Sequence, residues 1–226
     1  MNITFYKVGG CVRDRLLGRK SKDIDFAVEA PSFSAMREAL LARGVKIFQE
    51  RPEFLTIRGT HPEFGGVDYV LTRKDGAYSD GRHPDSVEVG TILDDLSRRD
   101  FTMNAIAERE DGSLLDPFNG ELDIKDRLII CVGNANDRFQ EDKLRAYRAL
   151  RFAVTLDFSM NMQVVDAIDN LEEADFDGVS VERIQVELWK AFQHHSLATF
   201  RWLERFPVLL TVATKKGLKL KPTLEQ

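Results

Sequence analysis

Asp23 and Asp25, with one residue between them, are the side chains in this sequence whose type and spacing most directly suggest chemistry. If the short piece that carries them is a strand, its two-residue period turns both carboxylates to one face. Hard oxygen donors one strand repeat apart suit magnesium, which is commonly bound by one or two carboxylates together with substrate phosphates. Just upstream, Gly9 and Gly10 lack Cβ atoms and can bring backbone N–H groups close to an anion, and Arg13 follows at once. Each half has an ordinary alternative, since Gly-Gly is most often a plain turn and Asp-x-Asp is common on solvated strand ends. Together they form one unit of strand, glycine turn, arginine and acidic strand, suited to metal-dependent phosphoryl or nucleotidyl transfer. Two familiar nucleotide motifs are excluded: Gly18-Arg-Lys-Ser21 lacks P-loop spacing, and Gly9-Gly10 lacks the spaced glycines of a dinucleotide fingerprint.

Further groups could join this unit. In Val67-Asp-Tyr-Val-Leu71 the apolar residues share one face and Asp68 sits on the other. Alone it is an ordinary solvent-facing acid, but an adjacent strand could make it the third carboxylate that two-metal chemistry commonly uses. Arg98 and Arg99 are candidates for triphosphate or ribose contacts, because guanidinium forks match phosphate oxygens, with a solvated helix face as the alternative. Asp142 and Arg145 are near neighbours on a predicted helix, where the simplest expectation is an i,i+3 ion pair.

The elements that must position these groups follow from periodicity. Strands are predicted over 3–8, 24–28, 45–49, 54–58 and 67–71, with short helices over 12–17 and from a Ser32 cap to Gly44. Residues 73–85 are nearly devoid of apolar side chains and are expected to form a mobile loop or a surface excursion. A hairpin is predicted across Asp111-Gly112, a plain turn at Asp116-Pro-Phe-Asn-Gly120, and a strand at 128–132 closing the sheet. From Asp137 onward the pattern is helical, with helices predicted over 137–156, 164–171, 181–192 and 200–210, the last broken at Pro207. The expected organisation is a mixed α+β domain over 1–136, a helical domain over 137–212 and a basic tail over 213–226.

Composition narrows the function class. With 226 residues and 43% hydrophobic content the chain can build a substantial core and is expected to be globular and soluble. A net charge of −5 weakens a pure nucleic-acid-binding module, since any RNA contact would need local basic patches such as the lysines near the end. Cys11 and Cys131 match no disulfide framework or zinc spacing, which points to a reducing compartment. The four histidines form no metal signature, and His194-His195 is expected at a helix end. No apolar run approaches membrane-spanning length, so a cytoplasmic protein is expected.

In their order, the motifs resemble the class II tRNA nucleotidyltransferases (CCA-adding enzymes) and their poly(A) polymerase relatives over roughly residues 4–190. They are Gly9-Gly-Cys-Val-Arg-Asp14 with Leu16-Leu-Gly18, Asp23-Ile-Asp25, Arg98-Arg-Asp-Phe-Thr-Met-Asn104, Asp116-Pro-Phe-Asn-Gly120, Glu141-Asp-Lys-Leu-Arg145 with Arg151-Phe-Ala153, and Val181-Glu-Arg-Ile184. Ile130 and Lys143 depart from it, standing where the family usually has a basic residue and often a proline. The resemblance implies a polymerase-beta-like nucleotidyltransferase head and an all-helical, nucleotide-selecting neck. It implies that Asp23, Asp25 and Asp68 are catalytic and hold magnesium, as two ions. Gly9, Gly10, Arg13, Arg99, Asp100 and Asn104 would meet the nucleotide's phosphates and sugar, while Asp142 and Arg145, aided by Arg148, would read the base. The implied substrates are CTP, ATP and the 3′ end of tRNA or another RNA, and the implied reaction is CCA addition. A poly(A) polymerase, an enzyme adding only A or only CC, and an idle RNA-binding module are the alternatives. The 73–85 segment resembles the family's flexible loop for switching from cytidine to adenosine.

Overall fold

The computed structural model describes residues 3–21, 23–76 and 86–219. Its described residues divide into two compact units, with the change after Lys125. The boundary expected at 136 falls inside a helix of the second unit.

The first unit begins with strand β1 (Thr4–Val8), helix α1 (Gly10–Leu16), strand β2 (Ile24–Glu29) and helix α2 (Phe33–Ala42). Strands β3 (Lys46–Arg51), β4 (Thr56–His61) and β5 (Gly65–Leu71) follow. Then come β6 (Arg73–Asp75), β7 (Val87–Val89), helix α3 (Ile92–Ser97), β8 (Ala107–Arg109), β9 (Leu114–Leu115) and helix α4 (Gly120–Asp126). Seven strands form one sheet in the order β3-β4-β5-β2-β1-β8-β9. The β2–β5 pair is parallel, with Asp25 opposite Asp68, and its neighbours are antiparallel. This is the mixed α+β architecture expected.

One face of the sheet is the core: Phe5, Phe26, Val28, Ile57, Val67, Tyr69 and Leu71 pack with Met36 and Leu40 of α2. The two-residue period then forces Asp25 and Asp68 to the opposite face. Helix α2 starts where predicted, with the Ser32 hydroxyl accepting from Ala35 N–H at 3.1 Å. Helix α3 starts in a capping box in which Thr91 and Asp94 satisfy each other's backbone N–H groups.

Three expectations need correction here, and one predicted turn gains a second task. Helix α1 starts at Gly10, two residues early, because Gly9 takes φ 75° and turns the chain directly out of β1. Arg73–Asp75 is no loop but pairs with Val87–Val89 in a two-stranded ribbon, while residues 77–85 of the predicted loop lie outside the described residues. The Asp116–Gly120 turn leads straight into α4: the Asp116 carboxylate accepts from Gly120 and Glu121 N–H, both at 2.8 Å. Residues 128–132 do not close the sheet, because Leu128–Ile129 (β10) pairs in parallel with Ser159–Met160 (β11) of the second unit.

That unit is otherwise helical. It contains α5 (Ala135–Glu141), α6 (Leu144–Leu156), α7 (Met162–Asp169), α8 (Val181–His194), α9 (Ser196–Arg205) and α10 (Pro207–Lys215). The single helix expected over 137–156 is broken at Asp142, whose backbone is extended at φ −153° and ψ 104°. Its carboxylate accepts from Leu144 N–H at 3.0 Å, satisfying a donor that the start of α6 leaves without a helical partner. The predicted 200–210 helix is two helices meeting at Phe206, with Pro207 opening α10 as a first-turn proline does. His195 lies at the α8–α9 joint, where its Nδ1 accepts from Ala198 N–H. The basic tail lies partly outside the described residues, from 220 onward. No helix among the described residues is long and apolar enough to cross a membrane.

Candidate active site

The β2–β5 register brings Asp25 and Asp68 side by side on the open sheet face, with Asp23 two residues before Asp25. Burial, the negative charge of Asp68 and that of Asp23 raise the Asp25 pKa, against an opposing pull from Arg99. Asp25 and Asp68 on one face, with Asp23 close enough for its charge to be felt at Asp25, are chemically suited to a divalent cation with hard oxygen preference. As the side chains stand, Asp68 pairs instead with Arg58, its antiparallel neighbour on β4, at 3.0 Å. Among the described residues no group of three His, Cys, Asp or Glu side chains is gathered tightly enough to enclose an ion. The donors suit magnesium by their chemistry, but with Asp68 paired to Arg58 they do not enclose an ion as they stand.

The glycine turn lies against this face because Val8 is paired with Asp25. A Cβ on Gly9 would sit 3.0 Å from Arg99 Nη1, so the turn leaves room for that guanidinium. The predicted phosphate-binding residues are tied into one network. Arg13 Nη1 donates to Asn104 Oδ1 at 2.7 Å, and Asn104 Nδ2 donates to Asp100 Oδ1 at 3.0 Å. Arg13 also donates to the Asp14 carboxylate through Nε and Nη2. Arg99 donates through Nη1 to the Asn104 carbonyl at 3.2 Å and through Nη2 to Asp95 at 2.9 Å.

Asp95 is a residue the sequence left without a role, and it is 1% exposed. Burial opposes its charge, but the cations of Arg99 and Arg98 prevail and hold its carboxyl below the usual carboxylate range. It orients both guanidiniums, while Arg98 also approaches Asp75 of β6. The available signal was only an acid three and four residues before a pair of arginines, in a stretch for which no helix was predicted. Gly120 is a second such residue. A Cβ there would fall 2.2 Å from the Thr102 carbonyl, so α4 can rest against the turn that carries Asn104 only through a glycine. Thr102 donates to Asp123 of α4 at 2.5 Å and fastens the same joint.

In the second unit the expected Asp142–Arg145 ion pair does not form, because Asp142 stands in the break between helices. Asp142 accepts from Arg183 of α8 at 2.6 Å, and Arg145 donates to Glu141 at 2.6 Å and to the Arg138 carbonyl at 2.8 Å. Arg183 belongs to the Val181–Ile184 motif and gains a definite task here, fixing the Asp142 carboxylate. Arg148 lies 3.8 Å from Glu187, a buried acid that also binds Arg151. Lys143, at φ −59°, has the backbone angle that a proline would impose, and its ammonium bonds to Gln140.

A cavity of about 400 Å³ in the first unit does not adjoin the carboxylates. A smaller hollow of about 270 Å³ does, lined by Arg58, Asp68 and Phe54 among others.

A model of the poly A polymerase head domain matches residues 5–130. A CCA-adding enzyme of Bacillus cereus (strain B4264) is 40% identical over 186 residues, which cover 82% of this chain and 45% of the relative. The chain thus spans about half the length of the curated relatives it matches. Among solved structures, the Bacillus stearothermophilus CCA-adding enzyme in complex with CTP is similar with a TM-score of 0.75 and 33% identity, covering 94% of this chain and 49% of that one. The Thermotoga maritima CCA-adding enzyme complexed with tRNA gives 0.71 and 28%, covering 92% and 47%.

Proposed function

The chain belongs to the family of CCA-adding enzymes and poly(A) polymerases, and on that premise we propose that it is an RNA 3′-end nucleotidyltransferase which adds CMP and AMP to tRNA lacking its CCA end. The observation that carries the proposal is the parallel register setting Asp25 beside Asp68, on a sheet face against which Arg13 and Arg99 are already oriented.

In this reaction the terminal 3′-hydroxyl of the RNA attacks the α-phosphate of CTP or ATP, a new O3′–P bond forms, and the bond to pyrophosphate breaks in line. Asp23, Asp25 and Asp68 would hold magnesium, as two ions. Magnesium, when bound, would supply charge neutralisation on the phosphates and acidify the attacking hydroxyl. Arg13 and Arg99 donate hydrogen bonds to triphosphate oxygens, pre-oriented by Asp14, Asn104 and Asp95, so little entropy is lost as the nucleotide arrives. The Gly9-Gly10 turn lets the phosphates approach the backbone, and Asp100 and Asn104 fix the loop beside the sugar. The first unit is thereby the head domain and the helical unit the nucleotide-selecting neck. There Asp142 would accept from the exocyclic amine of cytosine or adenine and Arg145 would donate to ring nitrogen or carbonyl, with Arg148 as a further contact.

The test is incubation with magnesium and transcripts of tRNA ending before CCA, supplying CTP and ATP separately and together. Magnesium-dependent addition of CCA is expected, abolished in the Asp23→Ala, Asp25→Ala double variant. No extension on several RNAs, or full activity in that variant, would refute the proposal. Long products from ATP alone would replace it with poly(A) polymerase activity.

A further inference from the structure

The face of the sheet opposite the carboxylates carries a cavity of about 400 Å³ built wholly from the first unit. The register fixes which side it lies on: Lys7 pairs with Phe26 and Phe26 with Tyr69, and these point away from Asp25 and Asp68. Its origin lies in element lengths. Helix α2 stops at Ala42 and turns off through Gly44 at φ 76°, and a single helix about 10 Å wide covers only part of a seven-stranded sheet. Beyond its end, the β1–β2–β5 surface is left open between the β4–β5 turn and the β8–β9 turn.

The walls are aromatic. Phe26 stacks with Tyr69 at 5.4 Å between centroids, and His61 stacks with Phe64 at 4.6 Å, their planes 25° and 19° apart. Lys7 Nζ lies 4.7 Å from the Phe64 ring centroid, and Arg43, bound to Glu110, lies over Phe5 at 3.8 Å. His61 Nδ1 accepts from Glu63 N–H at 3.1 Å, which holds the ring in place.

Beneath these rings is a polar group with no internal role. Tyr69 is 1% exposed, yet its hydroxyl has no hydrogen-bond partner. Buried hydroxyls are normally paired, and one left unpaired destabilises the protein unless something else satisfies it. Burial, partly offset by Arg43, pushes its pKa up to about 12, so it remains a neutral donor. A phenylalanine would fill the same space without that cost.

We propose that this cavity is a second ligand site, independent of nucleotidyl transfer, which takes a neutral planar heteroaromatic molecule of nucleoside size. The ligand's ring takes the place of the Lys7 ammonium over Phe64, and its entry uncovers the Tyr69 hydroxyl so that a ring nitrogen or carbonyl accepts from it. The mixed charge of Lys7, Arg43, Glu63 and Glu110 around the rim favours a ligand with no net charge, with carboxylates for its amino or hydroxyl donors and cations for its acceptors. A volume of this size lies within the range of small-molecule pockets.

The probe is adenosine, which lacks phosphates, titrated into the whole chain in EDTA with side-chain NMR as the readout. Saturable shifts at Tyr69, His61 and Phe64 are expected. Tyr69→Phe should weaken binding by about tenfold, as loss of one hydrogen bond allows, while leaving the melting temperature unchanged or higher. Phe64→Ala, on the turn, should abolish the shifts in a chain that still melts cooperatively. No saturable shift up to the solubility limit of adenosine, shifts confined to the Asp25 face, or equal affinity in Tyr69→Phe would overturn the proposal.

Discussion

Asp95 shows how a residue outside the proposed nucleotide contacts can govern those within them. Its carboxylate is shared between Arg98 and Arg99, and it is 1% exposed. Because its folded pKa lies below the unfolded value of about 4, its ionised form contributes stability above that pH, and the contribution is lost as pH falls through the folded pKa. Asp95→Asn should therefore lower stability at pH 7 by about 3 kcal/mol, a typical cost of breaking a buried pair, and urea unfolding should show the gap closing below about pH 4. At pH 7 the same variant should raise KM for the nucleotide more than it lowers kcat, since Arg99 loses its orienting partner. At this scale the sequence was most informative where chemistry is local. The placement of Asp25 and the glycine turn were legible from strand period and backbone freedom, whereas Asp23 falls just before β2, where the two-residue period does not reach. The long-range partners Arg58, Asp95 and Arg183 were not, because a sequence says which side chains are charged but not which of them fold to one place.

Individual elements act here as fixtures for motifs. The Asp116–Gly120 stretch reads as a turn, yet it caps α4 and sets Gly120 against Thr102, so the turn bearing Asn104 is braced from behind. Gly120→Ala should cost about 1–3 kcal/mol, as overpacking does, and displace Asn104 from Arg13. A thermal melt and the KM for CTP would both register the change, whereas an unaltered melt would show that α4 gives way without strain. The break between α5 and α6 is the second fixture. Asp142 leaves the helical path and is held by Arg183, so Arg145→Ala should blur the choice of CTP and ATP over UTP and GTP more than it slows turnover. Single-nucleotide addition with each of the four triphosphates measures that choice. The break was legible only as an aspartate inside an otherwise periodic segment, where helix periodicity outweighs one residue in any windowed reading. The partner of Leu128–Ile129 was illegible for a different reason: a two-residue strand carries no pattern that names its neighbour.

For the whole molecule, a net charge of −5 sets the terms on which the proposed RNA substrate can be held. Attraction must come from local clusters of arginine and lysine, against long-range repulsion that salt screens. Binding of tRNA should nevertheless weaken on going from low to physiological salt, with log K falling by about 0.7 per tenfold salt increase for each single-strand phosphate contacted. Filter binding across a potassium chloride series would measure it, and a flat response would mean that phosphates contribute little. The alternation of mixed and then helical patterning made the division into two kinds of architecture readable in advance, since period two and period 3.6 are distinct signals. The parallel pairing of β2 and β5 also has a kinetic consequence. Asp25 and Asp68 stand about forty residues apart in the chain, and between them the chain must run through α2, β3 and β4 before the two strands can meet. Such a long closure loses entropy before contacts compensate it, so the neighbouring local hairpins can form ahead of it. A slip of one residue in that pairing would bury Asp68 and expose Val67, Tyr69 and Leu71, which makes misregistered chains unstable as well as inactive. During refolding, competence for catalysis should consequently appear no earlier than burial of Tyr69, and the hydrophobic face serves as the inspector of the acidic one.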